Sequence, residues 1–357
     1  MDVKINFRFT LIQTNPRRLE LADISILGAG SWGTALAASL FNNGHHVILW
    51  SYREAQVNEL KKTRENKSKL PGVILPENLQ YTSDIEEAVT DKDLIVFAVP
   101  SKATRETALK FKPFLKSNQK IITVTKGIEE GTLMNQTEIL QDVLGEGVRV
   151  GVLSGPSHAE EVAQSLPTLV VVGSKDKELC VMTQEFFMNE NFRVYISPDV
   201  TGIEIGASLK NVIALAAGMS DGLGFGDNAK AALITRGIKE ITALSVAMGG
   251  ESETLNGLSG IGDLIVTCQS RHSRNRKAGE LIGQGMSADE AMKKVAMIVE
   301  GVYSAKAAKA LGEKYGVELP IIEEVNEVLF EDKDPRTEVL NLMTRDKKKE
   351  IEIMGWK

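Results

Sequence analysis

From residue 22 onward, two kinds of apolar pattern alternate along the chain. A short apolar run stands at Ile24–Leu27, and strand candidates follow at Val47–Trp50, 93–100 (DLIVFAVP), 120–127 (KIITVTKG), 148–156 (VRVGVLSGP), 168–174 (TLVVVGS) and 192–197 (FRVYIS). A short apolar run predicts a strand buried on both faces of a parallel sheet, and the later segments extend that sheet. Between the first two, Ala35, Leu36, Leu40 and Phe41 recur at helical spacing and the segment stops at NNG. Strands alternating with helical segments predict a doubly wound α/β domain over 22–198.

After Pro198 the pattern changes, and helix signals dominate to the end. One is the capping box SADE, with Ser287 as cap and Glu290 three residues on. Residues 199–357 therefore read as an all-α domain, interrupted by the glycine-rich stretches GLGFGDN (222–228) and NGLSGIGD (256–263). Residues 1–21 stand apart. VKINFRFTL alternates like a strand, but the segment has neither an apolar core nor a small-residue cleavage site, so it does not read as a signal peptide. It is expected to be an extension outside the fold, with an extra edge strand as the other reading. RDKKKE near the other end reads as a solvated charged segment.

Composition narrows the function classes. A formal charge of −6 argues against a general nucleic-acid or membrane binder, so an anionic ligand would need a local basic pocket. The two cysteines, Cys180 and Cys268, form no CxxC or His/Cys cluster, which suits a reducing cytoplasm and gives no metal signal. No apolar run reaches ~20 residues, so no membrane span is expected.

Gly28, Gly30 and Gly33 stand in G-x-G-x-x-G spacing between the first strand and the first helix. In that context the motif is a dinucleotide-binding fingerprint and makes the domain Rossmann-like. The first glycine allows the tight turn, and the second lets a pyrophosphate approach the backbone at the helix N-terminus. Ser31 and Trp32, inside the loop, should border the cofactor. About 20 residues on, where an NAD site usually carries an acid, stands Arg53. An arginine can pair with a 2′-phosphate, which favours NADPH. Glu54 beside it keeps NADH possible.

The stretch SLKNVIALAAG (208–218) places Lys210 among apolar residues. On a helix, Glu204, Ser208 and Asn211 form a polar stripe, while Lys210 faces Gly206, Ala207, Ile213 and Ala214. Two readings stand: the lysine snorkels to water, or its ammonium is wanted inside. Other residues bear on the choice. Lys126 ends the strand VTKG, at the carboxyl edge where ligands of open α/β sheets bind, although a turn lysine would look the same. Ser157 in LSGPSHAEE reads as a helix N-cap or a ligand contact. Asp263 stands between a glycine loop and LIVT, as a functional acid or a cap. In SRNRK, Ser273 starts a helix whose first turn carries Arg274, Asn275, Arg276 and Lys277. Cations there oppose the helix dipole and make sense with an anion present; a basic surface helix is the plainer reading.

The set GAGSWGTALA, AVPS, VTKG, LSGPS.A.E, LKNV.A...G, GIGDLIVTC.S..SRNR and VEG resembles NAD(P)-dependent glycerol-3-phosphate dehydrogenases of the bacterial type, over about 22–350. The resemblance implies reversible reduction of dihydroxyacetone phosphate to sn-glycerol 3-phosphate, in a cytoplasmic homodimer that supplies phospholipid synthesis. It implies Lys210 as proton donor or acceptor, with Lys126 and Asp263 beside it. It implies Lys126, Gly155, Ser157, Asp263, Ser273, Arg274 and Asn275 around the substrate. Ser31, Trp32, Arg53, Lys126, Ala159, Arg274, Ile298 and Glu300 would touch the cofactor. The chemistry agrees: an alkoxide formed at a ketone carbon needs a proton and nearby positive charge. Burial and Lys126 should lower the Lys210 pKa, with Asp263 opposing. The alternatives are a related dehydrogenase of a β-hydroxyacid or ketopantoate, which would not need SRNR for a phosphate, and a non-catalytic NAD(P)H-sensing protein.

Overall fold

The computed structural model describes residues 21–347 and 349–350. The reading of residues 1–21 as an extension falls outside these, apart from the exposed Leu21.

Eight strands form one sheet in the order β3-β2-β1-β4-β5-β6-β7-β8. They are β1 (Asp23–Leu27), β2 (His46–Trp50), β3 (Gln80–Thr82), β4 (Leu94–Phe97), β5 (Gln119–Thr123), β6 (Val148–Ser154), β7 (Thr168–Gly173) and β8 (Phe192–Ser197). All neighbouring pairs are parallel except β6 with β7. The connection from β6 to β7 holds only the short helix Ala159–Ala163, and the chain reverses there instead of crossing over. Leu94 to Phe97 are all fully buried, as the continuous apolar run requires. Two apolar clusters, one led by Leu36 and Leu40 and the other by Phe97 and Phe111, pack on the sheet. β1 lies between β2 and β4, so the strand order switches direction beside the glycine loop.

Two strand readings need correction. β5 stops at Thr123, and 124–127 turn away as Thr125 Oγ1 donates to the Val99 carbonyl at 2.7 Å and Gly127 takes φ +153°. β3 carried no sequence signal, because QYT is too short to show a period.

Past β8 the described chain is helical. The helix Val200–Gly222 is its axis, with every residue from Gly202 to Ser220 buried. By length and mean hydropathy (1.3) it would pass for a membrane span, but other helices wrap it as the core of this half. Glu204, Ser208 and Asn211 are buried with it, so the polar stripe faces the protein and not water.

Helix Arg274–Gly283 packs directly on this axis. A Cβ on Gly218 would lie 2.0 Å from the Arg276 carbonyl oxygen, and one on Gly279 would lie 2.1 Å from that of Leu215. Only glycine permits backbones this close. The two halves are joined by two carboxylates, Glu204 buried and Glu300 half-buried. Glu204 accepts from Thr137 N (3.0 Å) and Oγ1 (2.5 Å), at the start of helix Gln136–Leu144. Glu300 accepts from Ser101 N (3.3 Å) and Oγ (2.5 Å). Each carboxylate meets free N–H groups at a helix start, a favourable place for negative charge. At the far end Arg345–Lys347, Lys349 and Glu350 are exposed, and Glu350 folds back to accept from Arg236 at 3.2 Å.

Candidate active site

The glycine loop has the shape a dinucleotide needs. Gly28 has φ +123°, and a Cβ there would strike the Ala98 carbonyl oxygen at 2.6 Å. A Cβ on Gly33 would meet the Gly28 carbonyl oxygen at 2.0 Å, which locks the helix Ser31–Asn42 against the turn. At Gly30 a Cβ would meet nothing within 4 Å, so this backbone faces open space that a pyrophosphate can enter. Gln56 Nε2 and Asn66 Nδ2 donate to the Ala29 carbonyl at 2.8 and 3.1 Å and hold the loop. No side chain caps the helix that follows, which leaves its first N–H groups for a ligand. Ser31 Oγ donates to the Lys69 carbonyl at 2.5 Å. Trp32 is half-buried, and its buried Nε1–H has no partner. Arg53 is exposed just past β2, its guanidinium over the Tyr52 ring at 5.0 Å, with Glu54 exposed beside it. These residues fit a dinucleotide cofactor.

Beyond the carboxyl ends of β5 and β6 lies the cluster of charge. Asp263 Oδ1 accepts from Lys210 Nζ at 2.5 Å, and Oδ2 accepts from Lys126 Nζ at 2.6 Å. One carboxylate therefore holds a lysine from each half of the molecule. Lys126 also donates to the Gly155 carbonyl at 3.1 Å, and Lys210 to Thr267 Oγ1 at 2.7 Å. Asp263 and Thr267 are one turn apart on the helix Asp263–Gln269. That helix follows a kinked turn, Leu258–Gly262, in which Gly260 is non-helical. The hollow beside Lys210 is occupied by this same turn: a Cβ on Gly206 would meet the Ser259 carbonyl oxygen at 2.6 Å. Small residues flank the lysine because another backbone must pass there.

The Lys210 ammonium is buried and does not snorkel. Burial is the main reason its pKa is pushed down to about 8; Asp263 resists and Lys126 adds to the fall. Burial works to raise the Asp263 carboxyl, yet the Lys126 and Lys210 charges outweigh it and hold the group below the usual carboxylate range. The site thus holds an ionised aspartate and an amine that can change protonation state near neutral pH.

Other expected residues fall around this centre. Gly155 has φ +143° and a Cβ there would press on Val170 Cα at 3.0 Å. The cap reading of Ser157 is corrected: His158 occupies the N-cap position, and the Ser157 hydroxyl donates to the Gly155 carbonyl at 2.9 Å. Ala159 is buried in the first turn that follows. Ser273 caps its helix, accepting from Arg276 N at 3.2 Å. The cationic first turn is partly neutralised within the fold, since Arg276 pairs with Asp221 (2.6 Å) and Lys277 with Glu280 (3.0 Å). Arg274 is exposed and has no ion pair among the described residues. The Asn275 amide is committed: it donates to Asn211 Oδ1 at 2.9 Å and accepts from Gly301 N at 2.9 Å. Ile298 is half-buried just before the helix Glu300–Tyr315, whose first residue, Glu300, bonds Ser101. Burial is the main force raising the Glu300 carboxyl, with the Ser101 hydrogen bonds opposing.

Three residues at the site escaped the sequence reading. Thr267 could have been found as the i+4 neighbour of Asp263. Ser101 lies in AVPS, but nothing in that motif points to Glu300. His158, whose ring packs 6.0 Å from that of His272, carried no local signal.

Comparison with known proteins gives a consistent picture. The family model for the N-terminus of NAD-dependent glycerol-3-phosphate dehydrogenase matches residues 23–180, and that for the C-terminus matches 199–340. The chain is 58% identical over 337 residues to glycerol-3-phosphate dehydrogenase [NAD(P)+] of Agathobacter rectalis, covering 94% of this chain and 100% of that one. It is 56% identical, with the same coverage, to the enzyme of that name from Fusobacterium nucleatum. A crystal structure of glycerol-3-phosphate dehydrogenase from Coxiella burnetii superposes with TM-score 0.88 at 40% identity, over 91% of this chain and 99% of that one.

Proposed function

Since the chain belongs to the NAD-dependent glycerol-3-phosphate dehydrogenase family, it reduces dihydroxyacetone phosphate to glycerol 3-phosphate with NAD(P)H, and we propose that Lys210 carries the proton in that reaction. The nicotinamide, when bound, supplies the hydride that reduces the ketone carbon. Lys210, as ammonium, donates a proton to the oxygen as negative charge develops there; in the oxidative direction the neutral amine takes it back. Lys126 adds positive charge beside that oxygen, and Asp263 orients both amines. Arg274 anchors the phosphate with the N–H groups at its helix start. Gly155, Ser157 and Ser273 line the substrate. Asn275 holds the helix Arg274–Gly283 to the axis helix through Asn211, so its contribution is to place Arg274.

For the cofactor, Gly28, Gly30 and Gly33 form the pyrophosphate turn, with Ser31, Trp32, Arg53, Lys126, Ala159, Arg274, Ile298 and Glu300 around it. The exposed Arg53 guanidinium, held only by its neighbour Tyr52 among the described residues, supports a preference for NADPH, because it can pair with a 2′-phosphate. The division into a sheet unit (22–198) and a helical unit (199–357), the homodimer, the absence of a membrane span, the cytoplasmic location and the supply of phospholipid synthesis complete the proposal; the family resemblance supports the homodimer and the supply of phospholipid synthesis. The family match sets aside a β-hydroxyacid or ketopantoate dehydrogenase and a non-catalytic sensor.

The observation that carries the catalytic assignment is the Asp263 carboxylate bound at once to Lys126 and Lys210. The experiment is an absorbance assay at the nicotinamide band, with dihydroxyacetone phosphate against a panel of keto acids, using NADPH and NADH in parallel. Turnover confined to the phosphorylated ketone is expected; turnover of a keto acid in its place would overturn the assignment.

A further inference from the structure

His158 lies at the join between the two halves and has no place in the assignments above. It follows Ser157 and precedes the short helix Ala159–Ala163. Across the join its ring packs on His272, with centroids 6.0 Å apart and planes tilted by 53°. His272 is two residues before Arg274. The Nε2 atom of His158 is buried and has no hydrogen-bond partner. A buried polar atom left unpaired is costly, so it calls for a partner that arrives with the ligand. Its electrostatic neighbours include Lys210 and Asp263 across the join, with Glu160 and Glu161 on its own element. His158 thus has Lys210 among its charged neighbours and packs on His272, two residues before Arg274.

We propose that His158 is a further substrate-binding residue, whose Nε2–H donates a hydrogen bond to the substrate phosphate between Lys210 and Arg274. This rests on the reading that the carbonyl faces Lys210 and the phosphate faces Arg274. Burial first, and then the Lys210 charge, push the His158 imidazolium pKa down, so the ring is neutral at neutral pH. A neutral ring with its proton on Nε2 gives one donor without adding a further cation beside Lys126, Lys210 and Arg274. The contact would help the enzyme favour a phosphorylated ketone over a bare one.

The test compares dihydroxyacetone phosphate with dihydroxyacetone in His158→Phe and His158→Gln, with melting temperature and NADPH fluorescence as checks on folding. His158→Phe keeps a ring against His272 and removes the donor. It is expected to lower kcat/KM for the phosphorylated ketone by about 10- to 100-fold, the range for losing a hydrogen bond to a charged group, mainly through KM. The loss on dihydroxyacetone should be smaller by about tenfold, and His158→Gln should recover part of the deficit, because glutamine keeps an N–H donor. Equal losses on both ketones, or no loss, would overturn the proposal, as would unfolding of both variants, which would make His158 a packing residue. Arg274→Ala runs alongside. If it too shows no selective loss on the phosphorylated ketone, the phosphate end has been misplaced and both readings fail. If it does while His158→Phe does not, only the His158 proposal fails.

Discussion

Replacing Asp263 by Asn keeps the shape of the site and removes the carboxylate that clamps two lysines. Asp263 lies 2.5 Å from Lys210 Nζ and 2.6 Å from Lys126 Nζ, and all three groups are largely buried. Removing one partner of a buried pair costs about 3–5 kcal/mol, because a charge is left inside without compensation. Lys210 can avoid that cost by losing its proton. Assigning about 3 kcal/mol to Lys210 moves its titration down by about two pH units, at 1.36 kcal/mol per unit. In the wild-type enzyme, with a Lys210 pKa of about 8, roughly three quarters of the amine is protonated at pH 7.5. In Asp263→Asn only about 3% would be, a loss of roughly 25-fold in the form that donates the proton. The assay is kcat/KM for dihydroxyacetone phosphate at saturating NADPH from pH 5.5 to 9, expressed as the ratio of wild type to variant. That ratio should be large at pH 7.5 and shrink toward pH 5.5, as acid restores the ammonium. A ratio that is flat with pH, or near one throughout, would refute the reasoning that Asp263 sets the protonation of Lys210.

Three further outcomes are expected. Arg274→Ala should raise KM for dihydroxyacetone phosphate by about 10-fold or more, the scale of a lost charge-assisted contact; an unchanged KM in steady-state kinetics would remove the phosphate anchor. Arg53→Glu should weaken NADPH much more than NADH, measured as the ratio of their KM values, and equal weakening would place the 2′-phosphate elsewhere. The buried Glu204 carboxyl is raised to about 7, chiefly by burial, so the folded state holds its proton more tightly than the unfolded chain. Its contribution to stability is then greatest below the unfolded value near 4.5 and is lost as pH rises through about 7. Glu204→Gln should gain on wild type across that window, by on the order of 3 kcal/mol, in denaturant titrations at successive pH values; a difference constant with pH would contradict the assignment.

Much of the fold was legible because the middle of the sheet is buried on both faces, so β4 appears as a continuous apolar run. The edge strand β3 was lost because three residues carry no period. The glycine fingerprint was legible residue by residue: Gly28 and Gly33 each answer a steric demand of the turn, and Gly30 leaves open the space a pyrophosphate would enter. Lys210 was ambiguous in sequence for a physical reason. The residues that keep its ammonium inside, Asp263 and Thr267, lie 53 and 57 positions away, and only the fold brings them within reach. The cap reading of Ser157 was one residue off, because Ser and His both precede the turn and only backbone geometry selects the cap. The basic cluster was half explained by the fold: Asp221 neutralises Arg276, and the argument for an anion passes to Arg274.

The most direct measurement is NADPH oxidation by dihydroxyacetone phosphate in wild type and Lys210→Ala, with cofactor binding followed separately by fluorescence. The expected result is turnover in the wild type, a drop in kcat of about 10²–10⁴ in the variant, and NADPH affinity nearly unchanged. Turnover in Lys210→Ala within a few-fold of wild type would contradict the placement of the reacting proton on this buried amine.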